Sequence, residues 1–144
     1  MKVSIMQPYF FPYKNYFKLI KMSDVFVLLD DVQFTRTGWI HRNRFVNKYD
    51  VNKLDWLTLP LKKASRKVKI NELRFEKDKI IYFKKKCKKF KFFDNTINHY
   101  PEIKKNIFNF DILPIDYLVK NLEKINKIIN IKIKILLSSS LKIS

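Results

Sequence analysis

An unbroken apolar run, Val25-Phe26-Val27-Leu28-Leu29, that stops on two adjacent carboxylates, Asp30 and Asp31, constrains this chain more than any other feature. Five apolar residues in a row leave no solvent face, the pattern of an interior strand in a mostly parallel sheet. Parallel partners must be reached through a crossover, so a helix should precede it. A shorter run, Val3-Ser4-Ile5-Met6, comes before it and passes into Gln7-Pro8-Tyr9-Phe10-Phe11-Pro12-Tyr13. Two buried strands that each end in polar or rigid groups describe the rim of an α/β sheet, where ligands bind.

The rest of the chain fits that plan. Residues 2–6 read as a strand, and Pro8 and Pro12 stiffen the loop after it. Residues 15–22 read as a helix with Tyr16, Phe17, Leu19 and Ile20 inward, ended by Ser23-Asp24. Asp55-Trp56-Leu57-Thr58-Leu59 reads as a third strand, stopped by Pro60, and residues 70–75 alternate like an edge strand. From Asp78 the period changes: Ile80, Ile81, Phe83, Cys87 and Phe90 share a helical stripe opposite the lysines. Phe92-Phe93-Asp94 interrupts it, and a second helix is expected over 94–106. A third begins near Pro114, with Leu118, Leu122, Ile125 and Ile129 inward. Residues 131–137 alternate Ile131, Ile133, Ile135 and Leu137 with lysines and read as a last strand. The expected fold class is α/β, a Rossmann-like, mostly parallel sheet flanked by helices. It is expected to be incomplete at its C-terminus, because Ser138-Ser139-Ser140 should lead from a strand tip into a further helix.

Composition narrows the function classes. A chain of 144 residues is read as one domain, 1–144, and 47% apolar content argues against disorder. No apolar run approaches the ~18 residues of a membrane span, and none resembles a signal-peptide core. Cys87 is the only cysteine, so an internal disulfide is excluded and a reducing cytoplasm is the simplest location. The net charge of +18 points at nucleic acid, but 26 of the 31 basic residues are lysine. Specific base and phosphate recognition favours the arginine fork. The excess is also local, with 16 basic against 5 acidic residues over 61–105. It is read as a solvated helix face in a chain rich in Lys, Asn, Ile and Phe, as an AT-rich coding sequence produces. A nucleic-acid partner is therefore not expected.

Met6-Gln7-Pro8-Tyr9-Phe10-Phe11-Pro12-Tyr13, then Asp30-Asp31-Val32-Gln33-Phe34, then Gly38-Trp39-Ile40-His41-Arg42-Asn43-Arg44 closely resemble the WbqC-like family, in that order. Trp56-Leu57-Thr58-Leu59-Pro60-Leu61-Lys62-Lys63-Ala64-Ser65 extends the resemblance, which weakens over 76–130 and returns over 131–141. Such proteins are cytoplasmic, bacterial and encoded among genes for O-antigen, capsule or other surface-glycan assembly. The resemblance therefore implies work on an activated sugar or its substituent. Family members are longer and carry a Gly-rich C-terminal segment, whereas the only glycine here is Gly38. The resemblance thus implies a short or truncated member, covering the N-terminal two-thirds of the usual length, that an oligomer or partner chain would complete. Asn15 stands where the family has glycine, and asparagine tolerates the left-handed backbone such a turn needs. A more distant likeness is to the nucleotidylyltransferase superfamily, whose His-x-Gly-His signature would fall on Tyr13-Lys14-Asn15-Tyr16. Both histidine positions are tyrosine, so that chemistry does not carry over.

The residues that can carry chemistry follow. Asp30 and Asp31, at a strand end, can hold Mg²⁺, a ribose hydroxyl or an amine, or accept a proton; either can instead cap a turn or pair with Arg42 or Arg44. His41 is a general acid or base near neutral pH. Arg42 and Arg44, two apart on an extended segment, can grip a diphosphate or carboxylate together, with Asn43 between them and Trp39 beneath. Gln7, Tyr9, Tyr13 and Tyr16 can line a pocket for a base or sugar ring. Lys62 and Lys63 can meet a phosphate, or simply form an exposed turn. The expected site is one pocket at the sheet rim, with Asp31 or His41 moving the proton. Its substrate is a sugar or nucleotide sugar, and its reaction is acyl or aminoacyl transfer to a sugar amine, with nucleotidyl transfer behind. The cofactor stays open, a nucleotide with Mg²⁺ being the candidate. Other classes remain: a basic nucleic-acid module, or an inactive scaffold subunit.

Overall fold

The apolar runs at either end of the chain find each other in the computed structural model, which describes residues 1–141. In chain order its elements are β1 (Val3–Met6), α1 (Lys14–Lys21), β2 (Val25–Leu28), β3 (Arg42–Val46), β4 (Leu54–Thr58), α2 (Ile80–Cys87), α3 (Lys91–Asp94), α4 (Pro101–Ile107), α5 (Pro114–Ile128) and β5 (Lys134–Leu137). β1, β2 and β5 form a parallel sheet in the order β1-β2-β5, with Val3 opposite Val25 and Val25 opposite Lys134. β2 is central, as its unbroken apolar run requires: Phe26, Val27 and Leu28 are all buried. Tyr16 and Ile20 of α1 and Leu122 of α5 cover the face formed by Phe26 and Leu28. Val3 and Ile5, pointing the other way at the sheet edge, are 47% and 56% exposed.

The result is a mixed α/β fold. Both crossovers advance in one direction, from β1 to β2 to β5. These three strands therefore do not create the reversal of order at which doubly wound folds open their ligand crevice. The strand expected over Asp55–Leu59 is present as β4, nearly in that stretch, but it belongs to a second, antiparallel sheet. Its partner β3 runs through the Arg42-Asn43-Arg44 segment, with Arg44 opposite Trp56 and Asn43 opposite Leu57. That strand is hard to read because its outward residues are arginines packed on tryptophan and its inward ones include Asn43.

Four further expectations are corrected. Residues 70–75 make a 3₁₀ turn at Ile70–Glu72 rather than an edge strand. Ile70, Leu73 and Phe75 are all buried in the main core, and only an isolated bridge joins Leu61 to Phe75. The helix expected over 94–106 divides into a 3₁₀ turn at Thr96–His99 and α4, because Pro101 lacks an N–H and sets the first turn of a new helix. The stripe on α2 holds for Phe83 and Cys87, but Ile81 is 78% exposed. The left-handed residue of the Pro-flanked turn is Phe11, at φ 53°, while Asn15 lies inside α1. Asn130, just past α5, has φ 56°, the ordinary use of asparagine at a helix end.

Candidate functional site

The chain leaving β1 is fixed from two sides. The fully buried Tyr16 donates its O–H to the Gln7 carbonyl at 2.9 Å. Burial, then the neighbouring Tyr9 and Tyr13 phenols, push the Tyr16 pKa far above its ordinary value, so it stays a neutral donor. From β3, Asn43 Nδ2 donates to the carbonyls of Phe10 (3.0 Å) and Phe11 (2.7 Å). Phe10 N–H donates to the Trp39 carbonyl at 3.1 Å. These bonds hold Phe11 in a backbone region that costs a bulky side chain roughly 1–3 kcal/mol. What they shape is a cavity of about 380 Å³ lined by Tyr9, Phe11, Tyr13, Trp39 and Asn43.

Trp39 is itself supported. Its ring lies 5.1 Å from that of Trp56 on β4. The Arg42 guanidinium sits 4.3 Å over Trp56, and that of Arg44 lies 5.3 Å from Trp56 and 5.6 Å from Trp39. The two arginines share a face, as their spacing implied, but their duties differ. Arg42 donates to the carbonyls of Gly38 (3.2 Å) and Thr37 (2.9 Å), tying the Trp39 loop to β3. Arg44 is held by the two indoles through cation–π contact and is exposed beside the cavity wall.

Asp30 ends β2 as a buried clamp. Its Oδ1 accepts the Ser139 backbone N–H (2.8 Å) and the Ser138 hydroxyl (3.0 Å). Its Oδ2 accepts the Ser139 hydroxyl (2.5 Å) and, at 3.4 Å, the Asn71 amide. Burial works against ionisation, but the bonds from Ser139, Ser138 and Asn71 outweigh it, and the Asp30 pKa falls below the ordinary value. Asp31 is exposed and meets the Ser138 hydroxyl from outside. The serines after β5 thus answer carboxylates at the strand tips, and Asp30 has no free oxygen for a substrate. Among the described residues no group of three or more His, Cys, Asp or Glu side chains gathers for a metal ion.

His41 and the two lysines face elsewhere. They line a second cavity, of about 500 Å³, together with Arg36, Lys79 and Tyr82 over a floor that includes Phe34 and Phe83. The His41 ring meets Phe34 edge-on at 4.9 Å, and its Nδ1 is buried without a hydrogen-bond partner. Burial, then the Arg42 and Arg36 charges, lower its pKa to about 4, so the imidazole is neutral at physiological pH.

The expected single pocket is therefore three neighbouring features. Tyr9, Tyr13, Trp39 and Asn43 come together in the aromatic cavity with Arg44 alongside. Asp30 and Asp31 sit with the serines at the strand tips, Gln7 leads out of β1, and His41, Lys62 and Lys63 share the basic cavity. Tyr16 and Arg42 act behind the aromatic wall rather than in it. Sequence reasoning missed Phe11 as a cavity wall, since nothing marks a phenylalanine for positive φ. It also missed Trp56, whose signal is the period of two in the facing strand, and Arg36, Lys79 and Tyr82, which only the fold brings to His41.

A model of the WbqC-like protein family matches residues 7–144. The chain is 37% identical over 65 residues to the uncharacterized protein Rv1507c of Mycobacterium tuberculosis. That match covers 45% of this chain and 27% of the relative, so the chain spans about a quarter of that protein's length. No solved structure matches. Among the described residues no helix is long and apolar enough to cross a membrane.

Proposed function

The chain belongs to the WbqC-like protein family, and we propose that it is a group transferase of surface-glycan assembly acting on a nucleotide- or lipid-linked sugar. One observation carries this reading: the aromatic cavity is held open by a strained Phe11 backbone that Asn43 clamps from another strand. Strain of this kind persists only where the surroundings enforce it, and it collects at ligand sites. A volume of about 380 Å³ falls in the range of small-molecule pockets, and an aromatic lining with few polar groups is their usual composition. The C–H faces of a sugar ring pack well against Trp39 and Tyr13, while the Tyr9 and Tyr13 hydroxyls answer its hydroxyl groups. Arg44, braced by two indoles, is the cation for the sugar's phosphate or carboxylate.

In this reading the sugar amine reaches from the aromatic cavity to the neighbouring strand tips, where Asp31 moves the proton, since the Asp30 oxygens are taken by hydrogen bonds. The sugar amine attacks the acyl carbon of an activated acyl donor and forms the new N–C bond. Its proton passes to Asp31, and the donor's leaving group departs with its bonding pair and takes that proton. Nucleotidyl transfer is the second choice of reaction. Binding can be read from fluorescence, because Trp56→Phe leaves Trp39 as the sole indole. Titration with nucleotide sugars is expected to change that emission saturably, and Tyr13→Ala to weaken binding about tenfold. No saturable change with any nucleotide- or lipid-linked sugar would remove the basis for the proposal.

A further inference from the structure

We propose that the cavity beside His41 is a second binding site, which takes the phosphates of a nucleoside diphosphate and stacks its base against Tyr82. The inference does not rest on the glycan reading, since it uses none of the aromatic-cavity residues. Four cations, Arg36, Lys62, Lys63 and Lys79, line this space of about 500 Å³, and among the described residues no carboxylate does. The ion pairs found among the described residues use Lys48, Lys53, Lys124 and Lys127, so none of the four is neutralised by an acidic side chain. Like charges gathered round one concavity repel, and an anion that enters relieves all of them together.

The remaining groups fit the same ligand. Arg36 donates to the Ala64 carbonyl, which orients its fork and leaves other N–H donors available. His41 lines the same space, so its ring reports directly on an occupant, while its Nδ1 stays buried without a partner. With the imidazole neutral, the fixed positive charge comes from the lysines and arginine. Tyr82, on α2, is 67% exposed beside an apolar floor of Phe34, Leu59 and Phe83. An exposed tyrosine over such a floor offers a base the stacking surface that a bare phosphate does not use.

The test follows the ring signals of the two histidines by NMR at moderate salt, titrating the whole chain with inorganic pyrophosphate, with ADP and with a short DNA duplex. His99 is exposed and serves as the internal reference. The proposal expects a saturable shift of His41 alone with pyrophosphate, and a tighter one with ADP. Lys63→Ala and Lys79→Ala, both at exposed positions, should each weaken pyrophosphate about three- to tenfold. Tyr82→Ala should bring ADP down to the pyrophosphate affinity and leave pyrophosphate unchanged. The proposal is overturned if neither small anion moves His41 saturably, if ADP binds no tighter than pyrophosphate, or if only DNA shifts the signals and does so equally in the lysine variants.

Discussion

Replacing Asn43 by aspartate changes one group of the side chain and reverses its purpose. In the native protein the amide donates to the Phe10 and Phe11 carbonyls at 3.0 and 2.7 Å. Alanine removes both donors and strands two carbonyls, a loss of about 2–4 kcal/mol at roughly 1–2 kcal/mol each. In a chain of this size that lowers Tm by about 10 °C. Aspartate keeps the shape but sets a carboxylate against the two carbonyl oxygens. The Arg44 backbone N–H, which donates to Asn43 Oδ1 at 2.7 Å, can still bond one carboxylate oxygen, but the other faces the two carbonyls and the Arg44 guanidinium projects from the opposite face of β3. The pKa of the introduced carboxyl is therefore drawn upward in the folded state, above the ordinary value of about 3.9. A raised folded pKa means that relative stability is fullest below the unfolded value and is lost as pH rises through the folded one. Denaturant unfolding at pH 7.5 and at about pH 3, below the unfolded value, checks this: Asn43→Asp should fall at least ~1 kcal/mol below Asn43→Ala at the higher pH and converge on it at the lower. Two variants of equal stability at pH 7.5, both within ~0.5 kcal/mol of wild type, would refute the clamp.

Other consequences are as definite. Asp30→Ala removes the acceptor shared by Ser138, Ser139 and Asn71 and should cost about 2–4 kcal/mol in denaturant unfolding. Because the folded Asp30 pKa is lowered, that difference should be full above the unfolded value near ~3.9 and shrink as pH falls through the folded one. The His41 imidazole should titrate near 4 by NMR, and Arg42→Gln should move its midpoint upward by removing a neighbouring charge. Cys87, whose thiol burial pushes up to about 12, should resist alkylation at pH 8 and react at once in denaturant.

Residues whose role follows from local pattern were legible in the sequence, and those whose role depends on a distant partner were not. The apolar run at Val25 required a buried central strand, and Pro114 marked the start of α5, because periodicity and the missing proline N–H act within a few residues. The resemblance carried by the Gln7–Tyr13 and Gly38–Arg44 words pointed to Tyr9, Tyr13, Trp39 and Asn43, which do meet in one cavity. By contrast, β3 hides its alternation because Arg42 and Arg44 face a tryptophan on the next strand, beyond the reach of any local pattern. Asp30 could be read as a substrate ligand, a turn cap or a partner of Arg42 or Arg44, and none of these names the serines that occupy it, because they lie more than a hundred residues away. The separation of His41 from Asp31 likewise follows from the second sheet, whose pairing no local signal announces.

Saturation-transfer NMR on a nucleotide sugar selected by binding tests the central claim most directly, since it reports which ligand protons touch the aromatic rings. The account predicts saturation of the sugar-ring protons that falls sharply in Trp39→Ala or Tyr13→Ala. It also predicts that both variants keep the native fold, because the Trp39 and Tyr13 side chains are exposed. Sugar-ring saturation that persists undiminished in both folded variants would contradict it.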